Sequence, residues 1–215
     1  RNICVNAWGS DGELTIEQAA AVTNLATKFK QNSVITSFDE LKYFTNNLVA
    51  PTNPDVGLSY GAFLGCVNLE SVTLMPNIKR LDNNIFNGCT SLKHIDIPNT
   101  IQYIGSDIFM DCTSLMNVNL PLEYMPTEFP SAIFRNCSSL TSLIEIPDTV
   151  TSIGMAAFMG CSSLEGVKMK GTTPPTLGYG VFNDTTFPIY VPKGAASAYK
   201  SASGWTSLAS RIIEY

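Results

Sequence analysis

The chain has 215 residues, a formal charge of −5 and few charged residues (14 %) beside 45 % hydrophobic ones. That length suits one sizeable core or a run of short repeats, and the acidic balance leaves no basic stripe to neutralise phosphates, which excludes a nucleic-acid partner. No apolar run approaches the roughly 18 residues of a membrane span, so the chain reads as not membrane-spanning.

The first residue is Arg1, not Met, as in a trimmed or mature fragment, so any signal peptide is expected to have been removed. Ser10-Asp11-Gly12-Glu13-Leu14-Thr15 resembles the centre of an EF-hand or dockerin-type calcium loop. With Gly12 at the loop's sixth position, however, Ala7, Gly9 and Gln18 fall where calcium needs its strongest oxygen ligands. The segment therefore reads as a vestigial turn that leads into a helix, and no metal is expected. Thr15-Ile16-Glu17-Gln18 forms a capping box, predicting a helix through Ala19, Ala20, Ala21, Leu25 and Ala26 to about Lys28. Ser37-Phe38-Asp39-Glu40 reads as a second capping box, opening a shorter helix through Leu41, Tyr43 and Phe44. Residues 1–50 share no period with the remainder of the chain, and two helices here predict a helical lid over one end of the fold. Pro51 to Pro54 reads as an inserted loop.

From residue 51 to 187 the chain repeats itself. Phe63, Phe86, Phe109, Phe134, Phe158 and Phe182 recur every 23 to 25 residues. Three positions after each of the first five stands a cysteine (Cys66, Cys89, Cys112, Cys137, Cys161), and three further a leucine (Leu69, Leu92, Leu115, Leu140, Leu164). Val72, Ile95, Val118, Leu143 and Val167 come next, then Leu74, Ile97, Leu120, Ile146 and Met169. A unit this short cannot bury its own apolar face, so neighbouring units must stack and share one core. The alternation at the end of each unit is strand periodicity. Stacked in order, these stretches predict a ladder of short parallel strands near 70–75, 93–98, 116–121, 141–147 and 165–170. The longest spacing, from Phe109 to Phe134, predicts a bulged turn around Pro126 to Pro130.

Phe158-Met159-Gly160-Cys161-Ser162-Ser163-Leu164 and Ile97-Pro98-Asn99-Thr100-Ile101-Gln102-Tyr103-Ile104-Gly105 resemble the unit of the BspA-like leucine-rich repeat. The resemblance covers residues 58 to 192 strongly. It implies a leucine-rich-repeat solenoid of α/β repeat class, with a parallel strand ladder, a helical N-terminal cap and a C-terminal cap. It also implies a protein that is extracellular or attached to a bacterial cell surface and works in adhesion or ligand binding. No catalytic residues come with it.

Residues 188–215 read as the C-terminal cap. Thr185 and Pro188 stand where cysteine and leucine are due, Pro188-Ile189-Tyr190-Val191-Pro192 reads as the last strand, and Gly194 to Ser203 as a short helix with Tyr199 inward. Trp205, Leu208 and Ile212 have helical spacing.

Few residues here could carry chemistry. Zinc is a poor fit, with no C-x-x-C pair and a single histidine, His94. The five repeat cysteines would stack about 4.8 Å apart, close enough for disulfides, but an interior column aims its side chains in parallel, and five equivalent thiols cannot all pair. They read as buried, reduced thiols, while Cys4 has no evident partner. His94 and Asp96 share a strand face without a placed nucleophile, so no enzyme and no cofactor is expected. What remains is the outward side of the ladder: Ser71 and Thr73, His94 and Asp96, Asn117 and Asn119, Ser142 and Glu145, Gly166 and Lys168. No aromatic row marks it; Tyr103, Tyr124 and Tyr179 fall on the return side. The reading is a monomeric, non-catalytic protein-binding or adhesion module on a cell surface, its ligand a host or neighbouring-cell protein. The alternative is a structural spacer of a larger surface protein.

Overall fold

The computed structural model describes residues 4, 6–7, 15–22, 25, 28–44, 49–50, 53–121 and 126–215. Among these, the strands in chain order are β1 (Ser37–Phe38), β2 (Val49–Ala50), β3 (Asn53–Leu58), β4 (Ser71–Val72) and β5 (Arg80–Leu81). Next come β6 (His94–Asp96), β7 (Tyr103–Ile104), β8 (Asn117–Asn119), β9 (Glu128–Phe129) and β10 (Leu143–Ile146). The chain finishes with β11 (Ser152–Ile153), β12 (Gly166–Met169), β13 (Thr176–Leu177), β14 (Ile189–Val191) and β15 (Ile212–Glu214). The α-helices α1 (Ile16–Ala20) and α2 (Ala196–Ser201) lie near the two ends of the chain.

Each coil has three sides. A front side pairs β1 with β4, β6 with β8, and β10, β12, β14 and β15 in that order, all parallel. A return side joins β3, β5 and β7, then β9, β11 and β13, again in parallel. The third side is the corner carrying Phe-x-x-Cys. There the amides of Asp107, Phe109 and Asp111 donate to the carbonyls of Ser131, Ile133 and Arg135 in the next coil, and the same three-bond pattern recurs in every neighbouring pair from Gly61 to Asn183. The predicted solenoid is the observed one.

The corner owes its shape to two left-handed residues per coil. One lies two positions before each phenylalanine, where Asn84, Asp107, Ala132 and Ala156 have φ between 48° and 61°. The other lies two positions after it, where glycine, Asp or Asn stands. Between them the rings are buried and stack almost in parallel: Phe63–Phe86 at 5.5 Å, Phe86–Phe109 at 5.8 Å and Phe109–Phe134 at 5.8 Å, all within 7° of coplanar. Burial of each ring contributes about 1.5–3 kcal/mol, and offset stacking about 0.5–1.5 more.

The cysteines are buried and free. Their column is also a hydrogen-bond ladder. Each thiol donates to the carbonyl of the phenylalanine one coil earlier: Cys89 to Phe63 (3.1 Å), Cys112 to Phe86 (3.1 Å), Cys137 to Phe109 (3.0 Å) and Cys161 to Phe134 (3.0 Å). Cys66 donates to Phe29 at 2.8 Å, and that contact exposes a hidden coil. Phe29 stacks on Phe63 at 5.4 Å, Gln31 is left-handed, and Asn32, Ile35 and Phe38 fall where Cys66, Leu69 and Val72 stand one coil later.

That coil corrects the reading of the N-terminal segment. The Thr15 capping box forms, with Thr15 Oγ1 accepting from the Gln18 amide, but α1 ends at Ala20 instead of reaching Lys28. Ser37 caps no helix. Ser37 and Phe38 form β1, in register with Ser71 and Val72, and only a 3₁₀ turn (Asp39–Tyr43) comes after it. Burial of Phe29 and Phe38 against the first phenylalanine outweighs the local capping signal. Residues 8–14, the calcium-loop-like segment, lie outside the described residues. The expected loop at Pro51 to Pro54 gives way to strand from Asn53 onward, paired antiparallel with β2; Pro51 and Thr52 are not described.

Two coils depart from the regular unit. Phe129 comes nine positions after Leu120, where Ile104 comes seven after Ile97. Because Glu128–Phe129 is regular strand in register with Ser152–Ile153, the two extra residues lie before it and not in a bulge centred on Pro126 to Pro130; residues 122–125 are not described. At the C-terminal end β14 is not the last strand. Ile212, expected on a helix, starts β15 after a 3₁₀ turn (Thr206–Arg211). Trp205 and Tyr199 are buried against the last coil, donating to the carbonyls of Pro175 (2.8 Å) and Gly171 (2.8 Å).

Candidate ligand-binding face

The front side presents its alternate residues outward in two columns. In one stand Ser71, His94, Asn117, Leu143 and Gly166; in the other Thr73, Asp96, Asn119, Glu145, Lys168, Tyr190 and Ile213. Thr73, His94, Asp96, Asn117 and Asn119 are exposed as expected, Ser71, Glu145 and Lys168 half-buried.

Ser142 is not on this face. Ile144 comes four positions after Leu140 where Val167 comes three after Leu164, so Ile144 pairs with Val167 and is buried, and Leu143 opposes Gly166. The inward member of the repeat is therefore Ile144, and Leu143 takes the outward place assigned to Ser142. The Ser142 hydroxyl points back to the Met116 carbonyl at 3.5 Å. Gly166 is buried under Tyr190: a Cβ there would meet two ring carbons at 2.9 and 3.3 Å.

The face is less uniform than its polar centre implied. Its C-terminal end carries Tyr190, Ile213 and Tyr215, the last two about half exposed. Missing β15 in the sequence meant missing Ile213 and Tyr215; strand alternation within Ile189-Tyr190-Val191 was signal enough for Tyr190. Lys168 and Lys170 flank Glu145 at 3.5 and 2.9 Å, and Lys168 also covers the Tyr215 ring at 4.4 Å. The Lys170 hydrogen bond, foremost, holds the Glu145 carboxyl below its ordinary range. At the N-terminal end Thr73 donates to Asp39 at 2.9 Å. Among the described residues no group of three or more His, Cys, Asp or Glu side chains is placed to hold a metal ion, and no helix is long and apolar enough to cross a membrane. On the return side Arg80 stacks on Tyr103 at 3.7 Å; Tyr179, 82 % exposed, lies at the corner instead, where its carbonyl accepts from the Ala156 amide, and Tyr124 lies outside the described residues.

A closed stack of parallel coils of this kind defines a leucine-rich-repeat scaffold. The chain belongs to the BspA type leucine rich repeat family, whose model matches in six copies over residues 41–165 and 127–190. It is similar to a leucine-rich repeat protein of T. pallidum of known crystal structure, at 27 % identity and a TM-score of 0.52, over 63 % of this chain and 72 % of that one. A leucine-rich repeat protein from Bacteroides ovatus matches more loosely, at 21 % identity and a TM-score of 0.30, over 74 % and 57 % of the two chains. No curated protein matches. Leucine-rich-repeat families are generally non-catalytic scaffolds, the BspA type is typical of bacterial surface or secreted proteins, and this chain is consistent with a binding module.

Proposed function

We propose that the chain is a non-catalytic protein-binding or adhesion module displayed outside a bacterial cell, acting as a monomer through its front side on a host or neighbouring-cell protein. The observation that carries this reading is the contrast between columns. Inward positions and the corner are fixed by packing, whereas Thr73, His94, Asp96, Asn117 and Asn119 stand exposed on the front side and can vary without cost to the core. The polar centre favours weak, micromolar-scale contacts made effective by many copies on a surface. The test is binding to purified extracellular-matrix proteins, with His94, Asn117 and Asn119 changed together to Ala. Binding should fall at least tenfold with the melting temperature unchanged, since an exposed face contributes little to stability. Unchanged binding moves the site to the surface around Tyr103 and Tyr179; no binding by either protein leaves a spacer.

A further inference from the structure

The front ladder does not close between β4 and β6, although the amide of Lys93 still donates to the carbonyl of Glu70 and keeps the two coils in register. A groove of about 380 Å³ opens there. Its lining is mostly apolar, from Pro76, Pro98 and the little of Val72 and Leu74 that reaches the surface; its polar rim is Asp39, Ser71, Thr73, His94 and Asp96. Asp39, Thr73 and Asp96 occupy one outward column in three consecutive coils. The two aspartates stand on either side of the threonine, whose hydroxyl donates to Asp39 at 2.9 Å. Neither carboxylate forms an ion pair among the described residues, in contrast to Glu70 and Glu145, which have Lys93 at 2.6 Å and Lys170 at 2.9 Å.

We propose that this groove seats an arginine side chain of the protein partner. An apolar floor with charged rims matches a long aliphatic stem ending in a cation. Two carboxylates on the rim, with the lone pairs of the Thr73 hydroxyl between them, match a planar group with five donors better than a compact ammonium. A calcium ion is a poorer occupant: it needs six to eight oxygens within about 2.6 Å, and this rim offers only two carboxylates.

The inference rests on the front side being the partner-facing side, but its test needs no partner. Acetyl-arginine-methylamide and its neutral citrulline counterpart are titrated into the intact chain, and amide shifts are followed by NMR. Saturable shifts are expected at residues 71–76 and 94–98, with arginine binding at least tenfold tighter than citrulline, the scale of charge-assisted hydrogen bonds. Asp39→Asn with Asp96→Asn, shape-conserving and exposed, should abolish saturation at an unchanged melting temperature; Asp148→Asn, an exposed carboxylate elsewhere, should leave it intact. Equal binding of citrulline, survival of binding in the double variant, or calcium shifting the same amides at lower concentration and blocking arginine would each overturn the assignment. Failure here removes the groove alone, whereas a front side that recruits no protein removes the broader reading.

Discussion

The corner and the front side of the same coils respond differently to irregular sequence. Between the coils of Phe109 and Phe134 the chain carries two extra residues, and there both ladders break: β8 does not pair with β10, nor β7 with β9. The corner passes through without a fault. Phe109 and Phe134 stack at 5.8 Å and 5°, Cys137 still donates to the Phe109 carbonyl at 3.0 Å, and all three backbone bonds between the coils form. The spine of this solenoid is therefore its Phe-x-x-Cys corner, and the strands are arranged by it. Because strand register is set at a distance, the front side can lose a pair, gain a residue or open a groove while the coils stay aligned.

The sharpest way to break this comparison is insertion. One added residue between Phe109 and Cys112 should unfold the chain, because it displaces a ring, a left-handed residue and a thiol donor together. One residue added between Asp148 and Thr149, exposed in the turn after β10, should cost about 1 kcal/mol or less, as lengthening a surface loop does. Phe109→Ala, which empties the middle of the ring stack, should cost about 3–5 kcal/mol. Urea unfolding orders these variants; equal losses from the two insertions would show that the ladders, not the corner, set the register.

A more selective effect comes from pH. Burial, the main cause, raises every thiol in the column: Cys66 to about 11 and Cys161 to about 12, with Cys112 and Cys137 raised strongly as well. A thiol in the unfolded chain ionises near pH 8.5, so above that pH the unfolded state binds fewer protons than the native one. The contribution is complete below the unfolded value and is lost as pH rises toward the folded values, by about 1.4 kcal/mol per thiol per pH unit. Stability should therefore collapse between about pH 9 and 11, and Cys112→Ala should make that slope shallower by one thiol while costing about 1–2 kcal/mol at neutral pH. An alkaline slope unchanged in Cys112→Ala would show that the thiols open to solvent before the fold does.

The cysteine and phenylalanine columns were legible because a repeat multiplies its own signal: five copies of one spacing leave little choice of period, and only stacking can bury such short units. Where the sequence had a single copy, local rules misled. Ser37-Phe38-Asp39-Glu40 has every feature of a helix start, yet Phe38 is a strand residue because Phe29 has already set the coil's phase, 34 residues before Phe63. Ile212 fits helical spacing from Trp205, yet its place is decided by the open edge of β14. On the face, Ser142 was misplaced because Leu143 and Ile144 are both apolar, and only pairing with Val167 distinguishes which points inward. The left-handed columns went unread for a related reason. Glycine marks them in some coils, but Ala132, Ala156, Asp107 and Asp111 hide them in others.

Those hidden positions give the smallest expected effect and the finest test of the corner's rigidity. Ala156 has φ 54° and is 6 % exposed. Alanine in that conformation costs about 1–2 kcal/mol relative to a right-handed residue. Changing it to glycine relieves most of this cost. The same change gives the unfolded chain about 0.4–1 kcal/mol more conformational freedom and removes a buried methyl worth about 0.8 kcal/mol. The terms nearly cancel, so Ala156→Gly should lie within about 0.5 kcal/mol of the native chain. Gly160, on the other side of the same phenylalanine, has no such balance: φ is 75°, and a Cβ would sit 2.6 Å from Asn136 Oδ1 in the preceding coil. Gly160→Ala should cost about 1–2 kcal/mol, since left-handed strain adds to a contact that the corner cannot relax without moving Asn136 off Asp111, its hydrogen-bond partner at 2.7 Å. Calorimetric melting of the two variants separates the terms. A clear loss in Ala156→Gly would mean that the methyl packs more tightly than its area implies, and a neutral Gly160→Ala would mean that neighbouring corners can move independently.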